Sequence, residues 1–126
     1  MSEPDRHALS PDLGFQIPRR AWPRRRLLNV WADDLSMDSL LQRLDAEGGL
    51  VFTINPDHLW HLQNSAAFTA AYRQADFITV DSQYVHAAMH WLGQGVGATI
   101  TGSDLMPAYC RRHAANPEVK IFLLGA

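Results

Sequence analysis

The sequence predicts an α/β fold with a Rossmann-like, mostly parallel sheet and helices on both of its faces. Three short apolar runs, at residues 50–54, 77–80 and 119–124, are rich in β-branched, aromatic and leucine residues. Such runs are typical of strands that are buried on both faces. Segments with apolar residues at helical spacing separate the runs. Because strands that alternate with helices favour parallel pairing, the pattern predicts this fold class.

The first predicted elements are a strand, a helix and a second strand. Residues 27–31 form an apolar run that predicts the first strand. Asp34 or Ser36 can cap the following helix, which ends at the glycine pair 48–49. The second strand, at residues 50–54, follows directly.

Asn55 and Pro56 begin the next helix, because Asn is a favoured N-cap and Pro fits the first helical position. A further helical run follows Ser65 and leads to the third strand at residues 77–80. A helix over residues 82–92 comes next. A short strand is predicted near residues 98–100.

Residues 101–104 can cap the last predicted helix, which runs to about residue 115 and ends at Asn116 and Pro117. Residues 119–124 are then predicted to form another buried strand. A parallel strand at this point needs helices on both faces, and none follows it. We therefore expect the fold to be truncated at its C-terminal side.

Length and composition restrict the possible classes of protein. The chain has 126 residues, of which 47% are hydrophobic and 19% charged, which is typical of one globular domain or part of one. A net charge of −2 gives no support for nucleic-acid binding. A single cysteine, Cys110, excludes an internal disulfide and is typical of a reducing compartment. Without a secretory signal or an apolar run of membrane-spanning length, a cytoplasmic chain is expected.

Residues 1–26 are predicted to be a flexible N-terminal segment, and residues 27–126 to be the folded part. The segment contains four of the seven prolines and ends in a basic cluster around Trp22. The cluster consists of Arg19, Arg20, Arg24, Arg25 and Arg26. Two interpretations stay open, a solvated end of a linker or a patch that contacts an anionic membrane surface.

Polar side chains follow two of the predicted strands. Thr53 and Asn55 lie at the end of the second strand, and Asp81 follows the third. Because the carboxyl ends of the strands form the ligand crevice of open α/β sheets, these three residues are candidate site residues. A purely structural interpretation also stays open, in which Asn55 and Asp81 cap the helices that follow them.

Two histidine pairs at helical spacing give no support for a metal site. His58 and His61 lie three residues apart, and His86 and His90 lie four apart. Neither pair has an obvious carboxylate as a third ligand, so no metal is expected.

Four sequence blocks occur in a familiar order and spacing, at residues 53–57, 75–81, 101–106 and 121–125. Together they resemble the N-terminal half of the WecG/TagA/CpsF glycosyltransferase family, over residues 27–126. The resemblance implies transfer of an N-acetylhexosamine, typically N-acetylmannosamine, from a UDP-sugar to an undecaprenyl-diphosphate-linked acceptor. It also implies an inverting enzyme of cell-envelope or exopolysaccharide synthesis that acts at the inner face of the membrane, with no metal or other cofactor.

The resemblance also implies roles for individual residues. Asp81 falls on the catalytic base, and Thr53 and Asn55 fall on a pair that lines the pocket. A carboxylate can accept the proton of the attacking acceptor hydroxyl, while hydroxyl and amide groups orient the substrate. The leaving diphosphate needs positive charge or backbone N–H donors. The further substrate-binding candidates are Ser82, Gly102, Ser103 and Asp104.

The chain departs from the family pattern at two positions. Ser82 stands where the family usually has Gly, and Thr99 stands where it usually has Arg. The loss of an arginine removes a charge-assisted contact with phosphate. Two alternatives to an active enzyme therefore stay open: a truncated, non-catalytic remnant, or an interaction module whose half-sheet pairs with another chain, including a homo-oligomer.

Overall fold

The computed structural model describes residues 19–125, which form four strands and five helices in a mixed α/β arrangement. In chain order the elements are β1 (Arg24–Leu27), β2 (Val30–Asp33), α1 (Met37–Glu47), β3 (Val51–Ile54), α2 (Pro56–Asn64), α3 (Ala66–Tyr72), β4 (Phe77–Val80), α4 (Gln83–Trp91) and α5 (Gly102–Arg112).

The first predicted strand is in fact an antiparallel hairpin. Strands β1 and β2 pair from Arg24 opposite Asp33 to Leu27 opposite Val30. The chain reverses at Leu28, whose φ of 52° lies in the left-handed region. The prediction of one strand over residues 27–31 was therefore wrong, because the apolar run contains the turn.

The hairpin also changes the interpretation of the N-terminal segment. Residues 1–18 lie outside the described residues, but Arg24–Arg26 belong to β1 instead of a flexible segment. Trp22 is buried and its ring stacks on Phe77 with the centroids 5.4 Å apart. A role of Trp22 in contacting a membrane surface is therefore excluded in this fold.

Strands β3 and β4 form a parallel pair, with Val51 opposite Phe77 and Ile54 opposite Val80. All four residues of β4 are buried, whereas β3 is mostly half-buried. Among the described residues the four strands form two small sheets, one antiparallel and one parallel. The predicted α/β class is confirmed, while a single continuous sheet is not observed over residues 19–125.

One buried carboxylate links the hairpin to the parallel pair. Oδ1 of Asp33 accepts hydrogen bonds from Trp22 Nε1 at 2.7 Å and Arg24 Nε at 2.6 Å. Its Oδ2 accepts the backbone N–H of Ile78 at 2.6 Å. The side chains of Arg24 and Asp33 are only 4% and 0% exposed. Asp33 therefore fixes β2 beside β4 by means of its side chain.

Helices cover both sides of the parallel pair, as the sequence predicts. We call the two sides the α4 side and the α1 side. Alternate residues of the strands point to opposite sides. The core on the α4 side packs Ile54, Ile78 and Val80 against residues of α2, α3 and α4. The core on the α1 side packs Phe77 and Val51 against residues of α1 and α5.

Two predicted strands are absent from the described residues. Residues 98–100 form no strand, although Ile100 N donates to the Val80 carbonyl oxygen at 2.8 Å. Residues 119–124 form no strand either, and residues 120–124 are exposed. A strand needs a neighbour for its backbone groups. Within residues 19–125, the segment 119–124 pairs with none.

The C-terminal end of α5 is fixed to α1 by Asp45. Its carboxylate accepts hydrogen bonds from Arg112 Nε at 2.6 Å and binds His113 Nε2 at 2.7 Å. The hydrogen bond from Arg112 lowers the pKa of Asp45, partial desolvation opposes this effect, and His113 adds to the lowering. These contacts place the end of α5 beside the end of α1.

Candidate active site

Asn55 and Asp81 lie side by side at the carboxyl edge of the parallel pair. Each residue directly follows its strand, one position beyond the last paired residues, Ile54 and Val80. The backbone N–H of Asp81 donates to the Ile54 carbonyl oxygen at 2.8 Å, which continues the ladder to this point. The carboxyl edge thus brings together two residues that are 26 positions apart in the sequence.

The loop before α5 brings Thr101 to the same edge. Ile100 N donates to the Val80 carbonyl oxygen at 2.8 Å. In return, the buried hydroxyl of Thr79 donates to the Ile100 carbonyl oxygen at 2.8 Å. These two bonds hold Thr101, and with it the start of α5, next to the end of β4.

Three helices consequently begin at this edge. Their N-caps are Asn55 for α2, Ser82 for α4 and Thr101 for α5. In each helix the side-chain oxygen of the cap accepts the N–H three residues on, at 2.8, 3.4 and 3.0 Å respectively. The other N–H groups of a first turn have no acceptor within their helix, and the helix dipole is positive there. The edge is therefore suited to an anionic ligand.

The carboxylate of Asp81 is half-buried and takes no part in capping. Ser82 caps α4, so the structural interpretation of Asp81 as a cap was wrong, whereas that of Asn55 is confirmed. Within residues 19–125, the Asp81 carboxylate has no hydrogen-bond donor and no ion-pair partner. Its lone pairs are therefore available to a substrate.

Ser82 fits its position without backbone strain. Its φ of −144° and ψ of 131° are extended values that any residue adopts. A glycine at this position is not required for the conformation seen here. The departure from the family pattern at Ser82 therefore leaves the geometry of the edge intact.

A buried tyrosine close to Asp81 was not predicted as a site residue. The hydroxyl of Tyr72 forms a hydrogen bond of 2.6 Å with Nδ1 of His58, and donates to the Thr53 carbonyl oxygen at 3.4 Å. Burial raises the pKa of Tyr72, and the negative charge of Asp81 raises it further. The sequence shows Tyr72 only as one of several apolar residues of a helix, so no local signal identifies it.

We predict that Tyr72→Phe makes the stability of the protein less sensitive to alkaline pH. The folded phenol binds its proton more tightly than the unfolded one, whose pKa is about 10. Its stabilising contribution is therefore complete below pH of about 10 and decreases as the pH rises further. Urea midpoints measured from neutral pH to about pH 11 test this, because the decrease should be smaller in the variant.

Tyr84→Phe is the matched control, since it removes an exposed phenol and leaves Tyr72 in place. We expect this control to keep the alkaline decrease of the parent chain. An equal decrease in the Tyr72 variant would contradict the coupling of Tyr72 to folding.

Thr53 and Gly102 line one cavity of about 340 Å³ on the α1 side. The other lining residues come from α1, β3 and α5, and they are Leu44, Val51, Leu105, Met106 and Tyr109. Thr53 near the end of β3 and Gly102 at the start of α5 lie on the part of the cavity nearest the carboxyl edge. Asp81 lies outside this lining, at the edge itself.

The remaining predicted site residues lie in the first turn of α5. Ser103 and Asp104 are exposed, and the hydroxyl of Ser103 lies 3.0 Å from that of Thr101. The structure thus brings Asn55, Asp81 and Ser82 to one edge and the start of α5 to its border.

The histidines take part in local contacts. Nε2 of His86 forms a hydrogen bond of 2.8 Å with the Val96 carbonyl oxygen, and the ring of His90 lies 4.7 Å from that of His86. In residues 19–125, no group of three His, Cys, Asp or Glu side chains is arranged to hold a metal ion.

Comparison with known protein families identifies the chain's relatives. Residues 25–126 match the glycosyl transferase WecG/TagA/CpsF family, from within β1 onward. The match covers most of the 126 residues. The chain belongs to the WecG/TagA/CpsF glycosyltransferase family. The resemblance seen in the sequence is therefore confirmed.

Membership of the WecG/TagA/CpsF family defines the class of substrates. A glycosyltransferase of this family needs a sugar donor and an acceptor. No curated protein and no solved structure shows a significant match to the chain. Over residues 19–125, none of the helices has the length and apolar character needed to cross a membrane.

Proposed function

We propose that this family member transfers an N-acetylhexosamine, similar to N-acetylmannosamine, from a UDP-sugar to an undecaprenyl-diphosphate-linked acceptor, with inversion at the anomeric carbon. The observation that supports the proposal is the carboxylate of Asp81, half-buried and without a donor among residues 19–125, at the edge where three helices begin. A base and an anion site next to each other are what a metal-independent sugar transfer needs.

Asp81 acts as the general base in this proposal. Its carboxylate accepts the proton of the acceptor hydroxyl as the hydroxyl oxygen attacks the anomeric carbon of the donor. The new glycosidic bond forms on the face opposite the diphosphate, and the bond between the anomeric carbon and the diphosphate oxygen breaks. UDP leaves with the electron pair of that bond, and Asp81 retains the proton until solvent removes it.

The helix N-termini stabilise the leaving UDP. Backbone N–H groups in the first turns of α4 and α5 point to the edge, and negative charge on the diphosphate is favourable there. Gly102 and Ser103 supply such groups in α5, and Ser82 borders those of α4 as its N-cap. With these donors in place, binding of the diphosphate does not require an arginine at position 99. Such backbone donors contribute most when they are already oriented before charge develops.

Thr53 and Asn55 orient the donor sugar. Thr53 lines the cavity between α1, β3 and α5, while the side chain of Asn55 caps α2 through Oδ1. The amide nitrogen of Asn55 keeps its donor capacity in that arrangement. Asp104, exposed in the first turn of α5, accepts sugar hydroxyls in this proposal.

The acceptor determines where the enzyme works. A polyprenyl chain keeps its diphosphate at the membrane surface, so we propose a cytoplasmic protein that associates peripherally with the inner face. The side chain of Arg25 is 43% exposed on the hairpin, where anionic lipid would compete with Asp34, 3.8 Å away, for its guanidinium.

Donor binding is tested by urea unfolding followed through the fluorescence of the four tryptophans. A UDP-N-acetylhexosamine binds only the folded chain, so we expect it to raise the urea midpoint. At a donor concentration of 100 times Kd, the stabilisation should be about 2.7 kcal/mol.

An ADP-sugar at the same concentration is the control for the donor, and should shift the midpoint less. Unfolding that is unchanged by UDP-N-acetylhexosamines at millimolar concentration would contradict donor binding by this chain.

A further inference from the structure

The outer edge of β3 carries unpaired backbone groups. Among the described residues β3 pairs with β4 alone. The carbonyl oxygens of Leu50 and Ile54 accept hydrogen bonds across that ladder. Because these groups alternate along a parallel strand, the N–H and C=O groups of Val51 and Thr53 point to the other edge.

The Thr53 carbonyl oxygen at this edge accepts a long hydrogen bond of 3.4 Å from the Tyr72 hydroxyl. A carbonyl oxygen has two lone pairs, so it can accept a second donor. The edge is therefore able to form a further ladder without losing that contact.

An apolar groove runs along the same strand on the α1 side. It is the cavity of about 340 Å³ between α1, β3 and α5, with Leu44, Val51, Leu105, Met106 and Tyr109 as its apolar lining. Thr53 and Gly102 complete the lining, and the apolar residues suit apolar side chains of an added segment. An added strand would place alternate side chains over this groove.

Residues 121–124 expose a row of large apolar side chains. Ile121, Phe122, Leu123 and Leu124 are 46%, 86%, 75% and 92% exposed. The segment combines a β-branched residue, an aromatic residue and two leucines, a composition that suits a strand covered on both faces. Four such side chains in water are unfavourable, and burying them would stabilise the chain.

The path of the chain brings this segment to the start of β3. Helix α5 begins at the carboxyl edge and runs to the opposite edge, where Asp45 holds Arg112 and His113. Helix α1 ends there too, and Gly48 leads directly into β3. Residues 119–124 therefore begin beside the amino end of β3 and can run parallel to it.

The handedness of crossovers points to the same edge. The parallel connection from β3 to β4 passes through α2 and α3 on the α4 side. Crossovers between parallel strands are almost always right-handed. After α4 the chain returns to the sheet at Ile100, whose N–H donates to the Val80 carbonyl oxygen at 2.8 Å. A right-handed connection that leaves from there on the opposite side runs in the opposite direction, from β4 past β3. Helix α5 packs on that opposite side, so its next strand belongs at the outer edge of β3.

We propose that the outer edge of β3 is the docking site of this chain's own residues 119–124, which add to it as a parallel strand. In the arrangement described here the segment is undocked and exposed. Docking pairs the outward groups of Val51 and Thr53 and buries apolar side chains on both sides of the sheet. It also brings the backbone of Gly125, with a φ of 94°, to the carboxyl edge beside Asn55.

Paired substitutions test the docking without any substrate. Leu123 and Leu92 are both exposed in the undocked chain, at 75% and 59%. Leu123→Asp should lower the urea midpoint if the segment docks, whereas Leu92→Asp should leave it nearly unchanged, as surface substitutions usually do. Equal midpoints for the two variants would overturn the proposal.

Amide hydrogen exchange provides the second measurement, and it uses the unmodified chain. Docking should slow the exchange of the Val51 and Thr53 amides together with those of residues 121–124, and Leu123→Asp should restore fast exchange. Fast exchange at all of these amides in the unmodified chain would overturn the proposal. Protection that increases with protein concentration, together with association detected by sedimentation, would also overturn the proposal, because a second copy of the chain would then occupy the edge. Neither measurement depends on sugar transfer.

Discussion

Asp81→Asn is expected to lower the rate of sugar transfer strongly while donor binding is retained. Asparagine has nearly the shape of aspartate, but its amide does not accept a proton from the acceptor hydroxyl. A positioned general base contributes about 10²- to 10⁴-fold to a rate, so turnover should fall by that factor. The measurement is UDP release in the presence of a UDP-N-acetylhexosamine and a short-chain, diphosphate-linked acceptor analogue. The midpoint shift caused by the donor is measured in parallel.

Asp38→Asn is the matched control for Asp81. Asp38 lies in the first turn of α1 with its side chain 77% exposed, and it takes no part in the carboxyl edge. We expect this variant to retain both turnover and the donor-induced shift. Unchanged turnover in the Asp81 variant would remove Asp81 from the mechanism. Donor binding by the unmodified chain without any transfer would instead support the non-catalytic remnant.

The helices and the parallel strands could be predicted because their signals are local. Ser36 and Asn55 cap the helices for which they were proposed, and Pro56 occupies a first-turn position. The runs that form β3 and β4 consist of consecutive β-branched and aromatic residues. The observed strand boundaries therefore differ from the predicted ones by at most one residue. Short-range hydrogen bonds and side-chain spacing are sufficient to specify these elements.

The hairpin could not be predicted in the same way. Its strand β1 is formed by arginines, which sequence composition assigns to a solvated segment. The side chain of Arg24 is buried beside Asp33, nine residues later, which pairs with it in the core. A pairing of this kind depends on tertiary contacts, and neither residue alone indicates it.

The candidate site was predictable in part. The carboxyl ends of neighbouring parallel strands meet at one edge, so Asn55 and Asp81 could be expected to lie together. The position of Tyr72 and His58 next to this site could not be predicted, because the hydrogen bond between them joins two different helices. The position of Thr101 depends on a single pair of hydrogen bonds between Ile100 and β4, in a loop where a strand was predicted.

The buried carboxylate of Asp33 gives the largest expected effect on stability. In Asp33→Asn the Arg24 guanidinium stays in the core and loses the negative charge of Asp33. The three donors around Asp33 all point at carboxylate oxygens, and an asparagine has one acceptor oxygen and an NH₂ group that would face a donor. Breaking a buried ion pair at one partner costs about 3–5 kcal/mol. Urea unfolding should show this loss.

A double-mutant cycle separates the ion pair from the other contacts of Asp33. Replacing Arg24 with Met removes the charge that Asp33→Asn leaves uncompensated, so the double variant should be more stable than the sum of the two single losses predicts. The neighbouring Asp34 gives the control Asp34→Asn. Its half-buried side chain pairs with Arg25 at 3.8 Å and accepts the Gly97 N–H through Oδ1, which an asparagine oxygen can also do, so the expected change is about 1 kcal/mol or less. Additive losses in the cycle would show that Arg24 and Asp33 act independently, and that the hairpin is held to β4 by the Trp22 and Ile78 hydrogen bonds instead.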